Sequence, residues 1–288
     1  MQKGGVDVQF FSVWVSPSFS DTLYYDQSKV MINLLNSEIS LNQSTLGLAR
    51  NPEESVALNN RGKIAAVIGV EGGHSIENSL NNLENLYNQG MRYLTITWNN
   101  STSWAVSAQD SRSATVGLSD FGRSVIRTMD SLGVIIDVSH TGIKTIQDIL
   151  QVTTNPIIAT HSGARKLRNH YRNLNDSQII DIANTGGVIG VVFYPPFLTT
   201  GTANIDTVIK HIDYIKNLVG IDYVAVGSDF DGIEVTPVGL EDVSKFPALT
   251  SKLLERGYTQ QDVEKILGGN FMRVFEKVCG NTKLMVNK

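Results

Sequence analysis

The sequence predicts an α/β fold: a parallel sheet with helices outside it, at the size of a (β/α)8 TIM-type barrel but one strand short. Three observations carry this expectation. Short apolar runs rich in β-branched residues alternate with helix-period segments through 288 residues, and βαβα order calls for a parallel sheet flanked by helices. The length suits a barrel of roughly 250 residues, but strand-like runs can be counted only to about seven where eight are needed. Four of the runs end in a residue that can do chemistry: Val67-Ile68-Gly69-Val70-Glu71, Val134-Ile135-Ile136-Asp137-Val138-Ser139-His140, Ile157-Ile158-Ala159-Thr160-His161 and Val224-Ala225-Val226-Gly227-Ser228-Asp229. Residues just past the strand ends of such a fold converge on one face.

The elements run in this order. Val6 to Val15 reads as a strand stopped by Ser16-Pro17. Asp21 to Leu35 has helical spacing, with Tyr25, Val30, Ile32, Leu34 and Leu35 as candidate buried positions. Asn51-Pro52-Glu53-Glu54 starts a helix that Gly62 ends: a cap, a proline in the first turn and acids at the positive end. Lys63 to Val70 is a strand. Ser79 to Asn88, with Leu80, Leu83 and Leu86, is a helix closed by Gly90. Arg92 to Trp98 is a strand, and Asn99 to Gly117 a long polar loop. Ser119-Asp120 caps a helix to Leu132, stopped by Gly133.

Val134 to Val138 is a strand, Gly142 to Gln151 a helix, and the run after Pro156 a strand to Thr160. Residues 162–176 form a basic loop carrying Arg165, Lys166, Arg168 and Arg172. Asp176 caps a helix to Ala183. Gly187 to Tyr194 is a strand ended by Pro195-Pro196, Asp206 to Val219 a helix, and Tyr223 to Gly227 a strand. Helices over Phe246 to Glu255 and Thr259 to Val278 close the chain. No linker, repeat or low-complexity tract divides it, so one domain over 1–288 is expected.

Composition sets limits. The net charge of −4 gives no electrostatic case for nucleic acid or an anionic membrane. The single cysteine, Cys279, excludes an internal disulfide and a thiolate metal cluster. That slightly favours the cytoplasm and leaves open a periplasmic protein without disulfides. No run of 18 apolar residues spans a membrane. No G-x-S-x-G elbow, P-loop or G-x-G-x-x-G follows a strand, so neither a serine hydrolase nor nucleotide binding is supported.

The strand-end residues each admit two readings. Glu71, followed by Gly72-Gly73, is a surface acid of a βα turn or a carboxylate that an ion can approach closely. A lone strand-end histidine is usually a hydrogen-bonded, half-buried imidazole, but His140 and His161 end successive strands, and a pair so placed points to a metal. His74 reads as a supporting partner, mid-helix His211 as structural, and His170 as a residue able to face a substrate. Asp229 suits metal ligation or proton transfer. Arg172 suits a substrate carboxylate, against the plainer reading of a solvated loop arginine.

These residues resemble a known family. Ile68-Gly69-Val70-Glu71-Gly72-Gly73-His74-Ser75, Asp137-Val138-Ser139-His140, Thr160-His161-Ser162 and Gly227-Ser228-Asp229-Phe230-Asp231-Gly232 are similar to motifs of the membrane (renal-type) dipeptidases. Gly239-Leu240-Glu241-Asp242-Val243 and Gly268-Gly269-Asn270-Phe271 resemble that family's C-terminal region, and the motifs run in order over nearly the whole chain. The resemblance implies a (β/α)8 metallopeptidase with two zinc ions that hydrolyses dipeptides, often with a D-residue at the C-terminal position. Carried over by motif, it makes Glu71 the bridging ligand, His140 and His161 ligands of the second ion, Asp229 the proton carrier and Arg172 the holder of the substrate carboxylate.

Two departures shape the expectation. The family's first strand ends in a His-x-Asp pair that holds the first zinc, and no His-x-Asp ends a strand here, the one His-x-Asp, His211-Ile212-Asp213, lying inside the Asp206 to Val219 helix. Gln9-Phe10-Phe11-Ser12-Val13 resembles the family's segment just after that strand, so the chain is expected to begin beyond it, in agreement with the strand count. Trp98 also stands where renal-type relatives carry a histidine. Glu71, His140 and His161 would then form a one-metal site with peptidase activity weak or absent, the second zinc being weakly held or missing. An open barrel would have exposed edges that favour association, a homodimer included. The alternative is a silent relative that binds a metal or small peptide without turnover. A barrel hydrolase of cyclic amides ranks lower, since its His-x-His start and strand lysine are missing.

Overall fold

Strand β3, Ile64–Glu71, is buried along all but its last residue. Ala65, Ala66, Val67, Ile68 and Val70 are each 0% exposed, and a fully buried valine or isoleucine contributes about 1.5–3 kcal/mol over an exposed one. The continuous apolar run reflects burial on both faces, as in parallel sheets covered by helices. The computed structural model describes residues 1–19 and 23–280. The expected helix start at Asp21 lies outside these; helix α1 is described over Tyr24–Leu41, and of its expected buried positions Ile32 is buried while Val30 and Leu34 are exposed, on the helix face turned to solvent.

The described residues pack as two units, one of Met1–Val6 with Pro156–Val274 and one of Asp7–Asn155 with the chain from Phe275 on. In the Asp7–Asn155 unit, β1 (Val8–Trp14), β3, β4 (Met91–Thr95) and β5 (Ile135–Asp137) pair in that order, all parallel. A short strand absent from the sequence expectation, β2 (Leu46–Leu48), pairs with the start of β3. Its three residues fall below the length at which strand periodicity is visible. Ala65 pairs with both Val8 and Gly47, so β2 takes the edge of β3 opposite β1. Farther along, β4 takes that same edge.

Helices α2 (Pro52–Asn59), α3 (Leu80–Asn88) and α4 (Asp120–Leu132) connect β2 to β5, and α5 (Ile143–Leu150) follows β5. Their ends obey the expected chemistry. The Asn51 side chain accepts from the Glu54 N–H with Pro52 behind it, Ser119 accepts from Gly122, and Gly133 closes α4 at φ 74°.

In the other unit, β6 (Ile158–Ser162), β7 (Val188–Val192) and β8 (Val224–Gly227) pair in parallel. Two glycines allow this packing. A Cβ on Gly190 would fall 2.2 Å from the Thr160 carbonyl oxygen, and one on Gly227 1.8 Å from the same atom. Helix α6 (Asp176–Asn184) is capped by Asn175 in a capping box with Gln178, one residue before the expected Asp176. The Pro195-Pro196 stop opens a single turn, α7 (Pro195–Leu198), because proline suits the first helical position. Helix α8 covers Ile205–Val219 and α9 Phe246–Glu255. The expected last helix is broken: α10 (Gln260–Glu264), a π-turn over Lys265–Gly269 and α11 (Asn270–Cys279). The break falls at Gly268-Gly269, residues of low helix propensity. Asn270, just past it, donates to the Ile221 and Val224 carbonyls and pins the start of β8.

Alternating strands and helices with every strand pair parallel form an α/β fold consistent with an incomplete (β/α)8 barrel.

Candidate metal centre

Four strand ends of the Asp7–Asn155 unit align in one row. Trp14 of β1 pairs with Glu71 of β3, Glu71 with Thr95 of β4, and Thr95 with Asp137 of β5. Side chains paired across parallel strands leave the same face, so the row presents Trp14, Glu71, Thr95 and Asp137 together. Asp137 is fully buried; it accepts from Thr95 Oγ1 at 2.6 Å and from the Ser139 N–H at 3.0 Å. Those bonds shape the turn that presents His140, whose φ of 64° is left-handed for a side chain that rarely adopts it. The turn is held further by Thr97 Oγ1 and the Ala108 N–H, which both donate to the His140 carbonyl.

His140 and Glu71 meet. Nε2 of His140 lies 3.0 Å from Oε1 of Glu71, the side chains being 8% and 12% exposed. Nδ1 of His140 lies 2.9 Å from Oδ1 of Asn99. Since Oδ1 only accepts, Nδ1 carries a proton, which leaves Nε2 as the ring nitrogen that faces the carboxylate. A proton or a cation must then sit between them to make the approach favourable. Ser12 Oγ donates to Glu71 Oε2 at 3.4 Å.

A metal fits this donor set. Imidazole and carboxylate are zinc ligands, and two atoms each about 2.0–2.1 Å from a tetrahedral ion lie about 3.3 Å apart, near the separation here. The outer hydrogen bond on His140 is the kind that fixes a ligating imidazole. Sequence reasoning does not single out Asn99 and Ser12 as ligand supports. Asn99 comes directly after Trp98, and its amide next to a strand end is the one available signal.

His74 plays a different part. Its Nε2 donates to the Val15 carbonyl at 2.9 Å, its ring packs edge-on to Tyr24, and burial lowers its pKa. It ties β1 to the turn after β3.

In the other unit His161, 8% exposed, has Nδ1 at 2.8 Å from Thr160 Oγ1. Arg172 is 3% exposed; a terminal nitrogen donates to the His161 carbonyl at 3.2 Å, and its guanidinium lies 5.4 Å from the Phe197 ring centroid. The solvated-arginine reading is therefore not what the fold provides. His170 stacks on Tyr171 and Phe197, and its Nδ1 accepts from the Arg172 N–H. Burial, then the positive charges of Arg168, Arg172 and Arg165, lower its pKa. His211 is structural: Nδ1 accepts from the Ala164 N–H and Nε2 donates to the Leu198 carbonyl, each at 3.0 Å. Asp229 stands two residues beyond β8 with φ 61°, its carbonyl accepting from the Gly232 N–H. So within one unit the fold joins Glu71 to His140, and within the other Arg172 to His161.

A family model of membrane dipeptidases, peptidase family M19, matches residues 1–287. The chain belongs to the membrane dipeptidase family. Membership agrees with the motifs that carry Glu71, His140, His161 and Asp229, and it makes the chain a metallo-dipeptidase, a metal-using hydrolase. Among solved structures, the dipeptidase AC, a metallopeptidase of family M19, is 26% identical over 97% of this chain and 88% of its own, with a TM-score of 0.91. An amidohydrolase from Pseudomonas aeruginosa is 26% identical over 97% of this chain and 91% of its own, at a TM-score of 0.88. A metallopeptidase from Rhodobacter sphaeroides, liganded with a phosphinate mimic of the dipeptide L-Ala-D-Ala, shares the fold at 24% identity and a TM-score of 0.91, over 96% of this chain and 88% of its own. As a membrane dipeptidase by family, the chain still has no helix among its described residues long and apolar enough to cross a membrane.

Proposed function

We propose that this membrane dipeptidase family member cleaves dipeptides at a centre where Glu71, His140 and His161 hold one divalent cation, most simply zinc. The observation that carries the reading is the Glu71–His140 pair at 3.0 Å, with Asn99 turning Nε2 toward the carboxylate. Further support comes from all three being residues of metal-ligand type at or just past strand ends. A cation held there supplies a Lewis acid for a carbonyl oxygen and lowers the pKa of a water toward neutrality.

The chain's own residues do the remainder. The Asp229 carboxylate takes the attacking water's proton and returns it to the leaving amine. The Arg172 guanidinium, fixed over Phe197, offers its planar fork to the peptide's C-terminal carboxylate, which restricts the substrate to short peptides. Because the sequence's one His-x-Asp pair, His211-Ile212-Asp213, lies within α8 and none ends a strand, a second ion is weakly held or missing and turnover is low.

The test is a zinc titration by calorimetry together with turnover of L-Ala-D-Ala, the dipeptide mimicked in the Rhodobacter sphaeroides structure. One tightly bound ion, lost in Glu71→Gln, with slow zinc-dependent cleavage is expected. Two tight ions with fast cleavage would remove the impairment. Binding of zinc and dipeptide without cleavage would make the chain a silent binder. Absence of zinc binding would sink the centre itself.

A further inference from the structure

Two half-exposed tryptophans stand beside the Glu71–His140 pair, and none of the steps above uses them. Trp14 ends β1 in register with Glu71, so both side chains leave the same face of the sheet. Trp98 lies three residues beyond β4. Its ring centroid is 5.0 Å from that of Trp14, with the planes at 51°, and 6.1 Å from the His140 ring, with the planes at 31°. Trp14 Nε1 is out of contact with solvent and makes no hydrogen bond among the described residues.

A packing role has a different signature in this chain. Trp104, whose Nε1 is likewise buried without a hydrogen bond among the described residues, is 1% exposed and packs edge-on to Phe121, as a core indole does, so exposure and not the N–H separates the two cases. Trp14 and Trp98 instead keep part of their surface open at strand ends that carry a metal-ligand pair. Rings at 5–6 Å spacing leave a face or edge on which a further ring can stack. A buried N–H without an acceptor is unfavourable until a ligand supplies one.

We propose that Trp14 and Trp98 form an aromatic wall that seats a planar or large apolar side chain of the dipeptide, so that aromatic dipeptides are preferred over alanyl ones. The wall gains from stacking and from apolar area removed from water. The Trp14 indole N–H donates to a peptide carbonyl oxygen once the ligand is seated. This inference rests on reading Glu71–His140 as part of the dipeptide-cleaving centre.

The full chain with zinc is assayed for kcat/KM on L-Phe-D-Ala, L-Ala-D-Phe and L-Ala-D-Ala. The zinc-free chain is titrated with the same dipeptides, binding being followed by quenching of tryptophan fluorescence. One aromatic dipeptide is expected to exceed L-Ala-D-Ala by about tenfold or more in both measurements, the worth of one stacked and buried ring. In Trp14→Leu and Trp98→Leu that ratio falls to about threefold or less. Trp98→Phe, which keeps an aromatic ring and secures the test if a leucine variant fails to fold, retains more than half of it. No aromatic preference in the wild type, or a preference kept by both leucine variants or lost in Trp98→Phe, overturns the wall. Selective binding of aromatic dipeptides without cleavage supports the wall and removes the peptidase reading. Unselective cleavage does the reverse.

Discussion

Asn99 Oδ1 accepts from His140 Nδ1 at 2.9 Å, and this bond decides which ring nitrogen of His140 faces Glu71. Without it the imidazole is free to change tautomer and to turn away from the carboxylate. Supporting bonds of this kind are worth 10–100-fold in metal affinity. Asn99→Ala is therefore expected to weaken zinc binding by about that factor while the fold persists. Calorimetric zinc titration checks it, and an unchanged affinity would show that His140 needs no orienting partner.

Metal removal acts on the same pair. Zinc at about 100 times its dissociation constant adds about 2.7 kcal/mol to stability if it binds only the folded chain. EDTA is expected to lower the melting temperature of zinc-loaded protein, and Glu71→Gln to abolish the difference. Scanning fluorimetry with and without EDTA reads both; equal melting temperatures for the wild type would contradict a folded-state ion.

The buried histidines set an acid limit. His211 Nδ1 accepts the Ala164 N–H, so only the neutral ring satisfies the fold, and burial holds its pKa below the usual value. His74 and His170 shift in the same direction, both chiefly through burial. A depressed folded pKa means that the unfolded chain binds more protons just below the unfolded value of about 6.5. The stability these rings contribute is full above about pH 6.5 and is lost as pH falls from there through their folded values. Metal-free protein is expected to melt lower at pH 5 than at pH 7.5, and the His211 ring to titrate below a free imidazole by NMR. A His211 ring that titrates at or above the free value would be incompatible with this account.

Gly227 is a packing requirement. A Cβ there would lie 1.8 Å from the Thr160 carbonyl oxygen, a backbone atom that cannot swing aside. Gly227→Ala is expected to cost about 1–3 kcal/mol or more, as overpacked cores do. At this chain length that is several degrees of melting temperature. Differential scanning calorimetry decides it: a change below one degree would mean that β6 and β8 can separate there without penalty.

The ligand-type residues and the groups that support them differ in how far the amino-acid order reveals them. Glu71, His140 and His161 each end a run of β-branched and small residues, and that placement is local information, legible from periodicity and punctuation. So are the caps at Asn51 and Ser119 and the glycine stop at Gly133. The one-residue difference at Asn175 arises because the adjacent Asn175 and Asp176 can both cap, and only the chain's path into the helix chooses between them.

What the sequence by itself determined is the alternation of strands and helices, the family motifs and the residues at the strand ends, because these depend on the order of neighbours along the chain. The tertiary structure decided that Asn99 serves His140 from 41 residues away, that Ser12 reaches Glu71 across 59, and that Trp14 and Trp98 stand together. It also decided the three-residue strand β2 and the π-turn before Asn270. Each of these is set by strand register or by a hydrogen bond across the sheet. Their free energy comes from partners that are distant in the chain, so no local pattern of residues can encode them.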